Sequence, residues 1–139
     1  FISYRKTRLK KGQFIYSIKI PIYKKNIFKA YKISKRFDDD ISSVCGSFNI
    51  QINKNRIKEI KIAYGGMSEI PKRAKNTEKS LLNSYFSEKI INKAIINLEK
   101  DYKPIDDMRA SKSYRMEVAK NLLIKCFLEV RNKKVLRLN

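Results

Sequence analysis

Apolar and polar positions alternate with a period of two through the first half of the chain. Phe14, Tyr16, Ile18 and Ile20 alternate with Ile15, Ser17 and Lys19, and Pro21 closes the run because proline cannot donate to a sheet ladder. A second strand is predicted over residues 28–34 and a third over 43–52, where Phe48, Ile50 and Ile52 share one face. Asn53-Lys54-Asn55-Arg56 separates the third from a fourth run, in which Ile60, Ile62 and Tyr64 alternate with Glu59 and Lys61. Asparagine tolerates the left-handed backbone of a tight hairpin, so the third and fourth strands should be antiparallel neighbours. Gly65-Gly66 reads as the break from strand to loop.

After that break the period lengthens. Thr77-Glu78 followed by Leu81-Leu82 predicts a short helix over 74–83 with a carboxylate near its positive end. A second helical region covers 87–101: Ser87 is a candidate cap, Glu88 lies in the first turn, and Ile90, Ile91, Ala94, Ile95 and Leu98 share a face. Pro104 ends it. The last helix, over 111–131, carries Tyr114, Val118, Ala119, Leu122, Leu123, Cys126, Phe127 and Val130 on one stripe, and residues 135–139 fray or lead onward. Strands first and helices afterwards predict an α+β fold, an antiparallel sheet of three to four strands covered on one face by about three helices. Its other face is then open to a partner. The 139 residues suffice for a single domain with an ordinary core, and the start at Phe1 reads as a cut inside a longer polypeptide.

Composition narrows the chemistry. The chain has no histidine, which excludes a histidine base, a Ser/His/Asp or Cys/His constellation and a zinc site with histidine ligands. Cys45 and Cys126 have neither disulfide-framework nor metal-site spacing. No apolar run approaches the roughly 20 residues that span a bilayer, and reduced cysteines fit a cytoplasmic protein. The net charge of +20 suggests a nucleic-acid partner, since lysines that neutralise phosphates release counterions. However, 24 Lys against 9 Arg, with 20 Ile and 11 Asn, is the residue set of A/T-rich codons, and the cations are spread along the chain. Codon bias accounts for the charge without a nucleic-acid ligand.

Against this basic background, Asp38-Asp39-Asp40 stands out. An acidic turn is the simplest reading of three adjacent aspartates. The triplet nevertheless belongs to an ordered series: Tyr4-Arg5-Lys6-Thr7, Ser34-Lys35-Arg36-Phe37, the triplet itself, Tyr64-Gly65-Gly66-Met67, Pro71-Lys72-Arg73-Ala74, Asp107-Met108-Arg109-Ala110-Ser111 and Tyr114-Arg115. In order and spacing this series resembles the C-terminal domain of the flavoprotein component of molybdenum hydroxylases, the family of xanthine dehydrogenases and carbon monoxide dehydrogenases.

The resemblance implies a part of a larger FAD-binding subunit whose N-terminal flavin-binding part, with its phosphate-cradling glycine loops, is absent from this chain. It implies an oxidoreductase in which an iron–sulfur centre, fed by molybdopterin, passes electrons through FAD to NAD or another acceptor. The 2Fe-2S and molybdenum groups lie on partner domains or subunits, and neither nucleic acid nor membrane is a partner. On this alignment Lys32 lies beside the FAD and Ile15 packs against its ring, while Asp39 borders the acceptor entrance. A cation there would stabilise charge gained on reduction, and an apolar contact would exclude water. Tyr4 and Arg5 line the same entrance, whereas Arg73, Asp107 and Arg109 fix loops and helix ends by ion pairing. Alone, the chain should be inactive. The other classes are a basic nucleic-acid-binding module and a non-catalytic interaction or dimerisation domain.

Overall fold

Sheet formation begins later than the hydrophobic pattern suggests. In a computed structural model, which describes residues 1–22, 25–37 and 39–136, the alternating run at 14–20 belongs to no strand and its apolar side chains are exposed. An alternating pattern specifies a strand only where a sheet edge can take it up, and this sheet does not take it up. The four strands are β1 (Ile27–Ile33), β2 (Val44–Asn53), β3 (Arg56–Gly65) and β4 (Lys72–Arg73), antiparallel in the order β1-β2-β3-β4. The short β4 is the strand that the periodicity does not announce, because two exposed basic residues carry no pattern.

Lys54 and Asn55, with φ of 45° and 59°, turn the chain from β2 into β3. Two successive left-handed residues give the turn whose twist matches the strands, so the expected hairpin forms, with lysine taking one of the left-handed places. Cross-strand register then puts Phe48 opposite Ile62, Ile50 opposite Ile60 and Gly46 opposite Tyr64 on the buried face. Gly46 is required by this packing, since a Cβ there would lie 2.8 Å from the Tyr64 ring.

The helical segments are α1 (Lys75–Leu81), α2 (Glu88–Ala94), a 3-10 turn (Ile95–Asn97), α3 (Leu98–Asp101) and α4 (Lys112–Asn132). They bury Leu81, Ile91, Ala94, Leu98, Ala119, Leu123, Cys126 and Phe127 in one cluster with the inner face of the sheet. Tyr64 holds the centre: its hydroxyl donates to the Ala119 carbonyl at 2.7 Å, and its ring meets Phe48 and Tyr102 edge-on at 5.7 and 5.5 Å. Burial, followed by the charges of Tyr102 and Cys126, raises the pKa of its phenol, which therefore stays protonated.

Glu78 lies in the first turn of α1 as expected, but the carboxylate that caps the helix is Asp101, from the end of α3. Asp101 accepts from the Asn76 and Thr77 amides, both at 2.9 Å, and from the Thr77 hydroxyl at 2.7 Å. It does for the free N–H groups what the non-polar N-cap, Ala74, cannot. Glu78 reaches the sheet, accepting from the Ile62 amide at 2.7 Å and forking with Arg73 at 2.6 and 2.9 Å. Arg73 thus fixes β4 to α1. Among the described residues, no helix is long and apolar enough to cross a membrane.

Candidate functional site

The ends of β1 and β3, the start of β2, the loop between β1 and β2, and the loop leading into α4 meet at one edge of the molecule. β1 ends at Ile33, whose carbonyl accepts from the Ser43 amide at 2.8 Å, so the acidic loop leaves and rejoins the sheet at one point. Asp40 folds that loop inward: its carboxylate accepts from the Arg36 amide at 3.2 Å and the Ile41 amide at 2.9 Å and lies 3.7 Å from the Arg36 guanidinium. Partial desolvation raises its pKa, but these donors outweigh it and hold the carboxyl below its usual range. Asp39 has φ of 46° and is exposed, and Asp38 lies outside the described residues. The triplet is therefore not a uniform acidic patch. Asp40 shapes the loop, and Asp39 faces solvent.

Lys32 projects from the sheet face that the helices leave uncovered, opposite Cys45, which in turn pairs with Gly65. The next row on this face is Ala30, Ser47, Ala63 and Arg73. Small side chains around an exposed ammonium leave the backbone accessible to a flat group laid across the strands. Lys32 also lines a groove of about 660 Å³ between the free edge of β1 and α4, with Tyr31, Val118 and Leu128.

One buried cation fastens this end together. Arg115, in the first turns of α4 and 3% exposed, pairs with Asp107 at 2.6 Å, donates to the Gly66 carbonyl at 3.0 Å and donates to the Ser43 carbonyl. Asp107 also accepts from the Arg109 and Ala110 amides at 2.8 and 3.1 Å. Those amide bonds and the Arg115 guanidinium hold its carboxyl below the usual range despite desolvation. Gly66, with φ of 80°, is obligatory: a Cβ would stand 2.3 Å from the Ser43 oxygen. Lys35 adds a further tie, donating to the Met108 carbonyl at 2.8 Å.

On either side of the Asp107–Arg109 turn lies an open cleft. One, of about 450 Å³, is bordered by Ser34, Lys35, Met108 and Tyr114, and the other, of about 560 Å³, by Tyr4, Glu69, Lys103 and Ile105. Tyr4 is thus brought to this end of the fold, with the Arg5 guanidinium 5.2 Å over its ring. Ile15 is not. It lies in the extended run before β1 and is 65% exposed.

Arg115 is the anchor that the hydrophobic pattern missed. The apolar stripe drawn through α4 begins at Tyr114, but Tyr114 is 49% exposed and its neighbour is buried. The available signal was spacing, since Arg115 stands four residues before Ala119 and belongs to the buried stripe. Of the residues expected to fix loops, Asp107 does so through Arg115, while Arg109 adds a looser contact at 3.9 Å.

Residues 29–130 match the model of the CO dehydrogenase flavoprotein C-terminal domain. The chain is 32% identical over 127 residues to the glyceraldehyde dehydrogenase medium chain of Sulfolobus acidocaldarius, a match covering 89% of this chain and 44% of that one. It is 33% identical over 114 residues to the xanthine dehydrogenase of Dictyostelium discoideum, covering 73% of this chain and 8% of the relative. The fold superposes on a chain of the carbon monoxide dehydrogenase of Hydrogenophaga pseudoflava with a TM-score of 0.68 at 17% identity, over 73% of this chain and 35% of that one. The chain thus spans less than half the length of these relatives. The matched span contains β1 from Lys29 onward, the acidic loop, the Gly65-Gly66 break and nearly all of α4, and the chain belongs to the family of CO dehydrogenase flavoprotein C-terminal domains.

Proposed function

We propose that this chain is the C-terminal part of the FAD-binding subunit of a xanthine dehydrogenase-like molybdenum hydroxylase, an oxidoreductase acting in the cytoplasm, and that its β1 end forms one wall of the flavin site. The observation that carries this reading is the family match across residues 29–130, the residues that build the Lys32 strand and the Arg115-fastened loops. The uncovered sheet face suits a flat, electron-accepting ring, because its small residues Cys45, Gly65 and Ala63 allow close approach and Lys32 offers a cation at the margin. When bound, FAD supplies the chemistry of accepting an electron pair and passing it to NAD or another acceptor.

The chain's own residues position and bias. Lys32 places positive charge where negative charge develops, Asp39 sets the charge of the rim that an acceptor crosses, and Asp40, Lys35 and Arg115 hold that rim in shape. Ile15 excludes water from the ring once the preceding part of the subunit is in place. Among the described residues there is no group of three or more His, Cys, Asp or Glu that could hold a metal. No step through molybdenum or iron–sulfur groups is assigned to this chain; they belong to partner domains.

The test uses the full flavin-binding subunit. Lys32→Met should lower the flavin reduction potential by tens of millivolts, since about 30 mV on a two-electron couple corresponds to ~1.4 kcal/mol of lost charge stabilisation. Asp39→Ala should change the half-reaction with the acceptor and leave flavin content intact. Stopped-flow half-reactions and potentiometry separate the two effects. Wild-type values for both variants in all three measurements would refute the residue roles. The 139-residue chain purified alone should be colourless after desalting.

A further inference from the structure

The two edges of the sheet are finished differently. The β4 edge is two residues long, both basic and exposed, and Arg73 is tied to Glu78 of α1 at 2.6 Å. The β1 edge runs for seven residues, is paired to β2 without a bulge, and has β2 as its one strand neighbour among the described residues. An edge this long and regular is a template for a further strand, and proteins ordinarily shorten, bend or cover such an edge.

The groove beside β1 has the form that a further strand requires. Four consecutive residues, Ala30 to Ile33, line it, although successive side chains of a strand point to opposite faces of the sheet. The strand therefore borders the groove with its main-chain edge. The opposite wall is the apolar side of α4, with Val118, Leu122, Ile124 and Leu128, and the space of about 660 Å³ admits an extended segment. Charge narrows the choice of occupant. Lys32 on the sheet side and Lys125 on the helix side line the groove, and no carboxylate does. A second copy of this chain is a poor fit, because each copy carries +20 and joining two β1 edges brings Lys29 and Lys32 of both together. A strand with carboxylates at its margins meets the opposite condition.

We infer that the groove between β1 and α4 takes an extended, carboxylate-bearing segment of a separate chain of the same enzyme, which adds to the free edge of β1 as a fifth strand. Main-chain pairing along β1 supplies affinity that is independent of sequence. The α4 wall then selects apolar side chains at every second position, and the lysines at the two margins select acidic ones. The inference rests on the proposed reading, in which the molybdenum and iron–sulfur groups are held by partners, and it gives one such partner its place of attachment.

The assembled enzyme, compared with its flavin-binding subunit alone, tests this. The β1 amides that exchange fast in the subunit alone should exchange at least 10-fold more slowly in the assembly. A photoreactive residue in place of Asn121, which is exposed on the groove wall, should cross-link to another chain at a segment containing Asp or Glu. Asn121→Glu should lower several-fold the fraction of subunit recovered with its partners, whereas Asn121→Lys should not. Asn92→Glu makes the same charge change at an exposed position on α2 and should assemble as wild type. Unchanged β1 exchange on assembly would overturn the inference, as would cross-links from position 121 that reach only a second copy of this chain or the rest of its own subunit. Flavin content, read by absorbance, keeps the two ideas apart. Bound flavin with an open β1 edge in the assembly refutes the added strand and leaves the proposed function standing, whereas a β1 edge covered by an acidic segment of another chain, in a subunit that binds no flavin, does the reverse.

Discussion

The two ends of α4 each bury one charge, and they use it differently. Near the N-terminus, Arg115 is 3% exposed and reaches across three loops, to Asp107, Ser43 and Gly66. Near the C-terminus, Glu129 is equally buried but binds side chains of one neighbouring strand and of its own helix: Lys29 at 3.1 Å and Tyr31 at 3.0 Å from β1, and Lys125 at 3.2 Å one turn back on α4. It also accepts from the Leu136 amide at 3.1 Å. Arg115 satisfies main-chain carbonyls of two separate loops at once, whereas Glu129 secures an edge strand that is already paired along its length to β2. One buried cation therefore determines the shape of the candidate site, and one buried anion trims an element that would form without it. Burying a charge is tolerable only when its polar atoms find partners, and among the described residues no buried side-chain nitrogen or oxygen lacks one.

The largest effect should come from Arg115→Met, which leaves the Ser43 and Gly66 carbonyls without their donor. Denaturant titration should show a loss of about 3 kcal/mol, with the clefts beside Asp107 opening to hydrogen exchange first. Gly66→Ala attacks the same end through the backbone, forcing a side chain into left-handed space against the Ser43 oxygen. It should cost about 2 kcal/mol by the same titration. If either variant matched wild type, the loops would be held by something other than this node.

At the opposite end Glu129→Gln keeps an acceptor for Tyr31 and Leu136 but loses both lysine ion pairs, and it should cost about 1 kcal/mol. A loss as large as that of Arg115→Met would erase the distinction between the ends. This end also carries a pH signature. Desolvation raises the Glu129 carboxyl, but Lys29, the Leu136 amide, Tyr31 and Lys125 outweigh it and bring its pKa from 4.5 down to about 2. The depressed folded value means that this stabilisation is complete above about pH 4.5 and is lost as pH falls toward 2. Stability measured from pH 6 to pH 2.5 should decline less steeply in Glu129→Gln than in wild type. The smallest effect is expected from Ser111→Ala, which removes the hydroxyl that accepts from the Tyr114 amide at 3.2 Å. A cost of about 0.5–1 kcal/mol is expected, seen as fraying of the first turn of α4.

Much of this was legible in the one-dimensional pattern. Three central strands, the hairpin between β2 and β3, three helical regions in sequence order and the α+β class follow from period, turn residues and proline placement, because these are local preferences that the fold agrees with. The ordered series from Tyr4 to Arg115 also carried the family. What the pattern could not supply was partnership. Phe14 to Ile20 and Ile57 to Tyr64 alternate equally well, and only the register of neighbours decided that one is buried while the other joins no strand and stays exposed. Likewise Arg115 and Glu129 look like ordinary helix charges until distant backbone and lysines surround them, and Asp101 caps a helix that starts 26 residues before it. Sequence determines these preferences within a few residues of each position; contacts between residues far apart in the chain, set by packing, determined which charge is buried, which aspartate shapes the loop and which faces solvent.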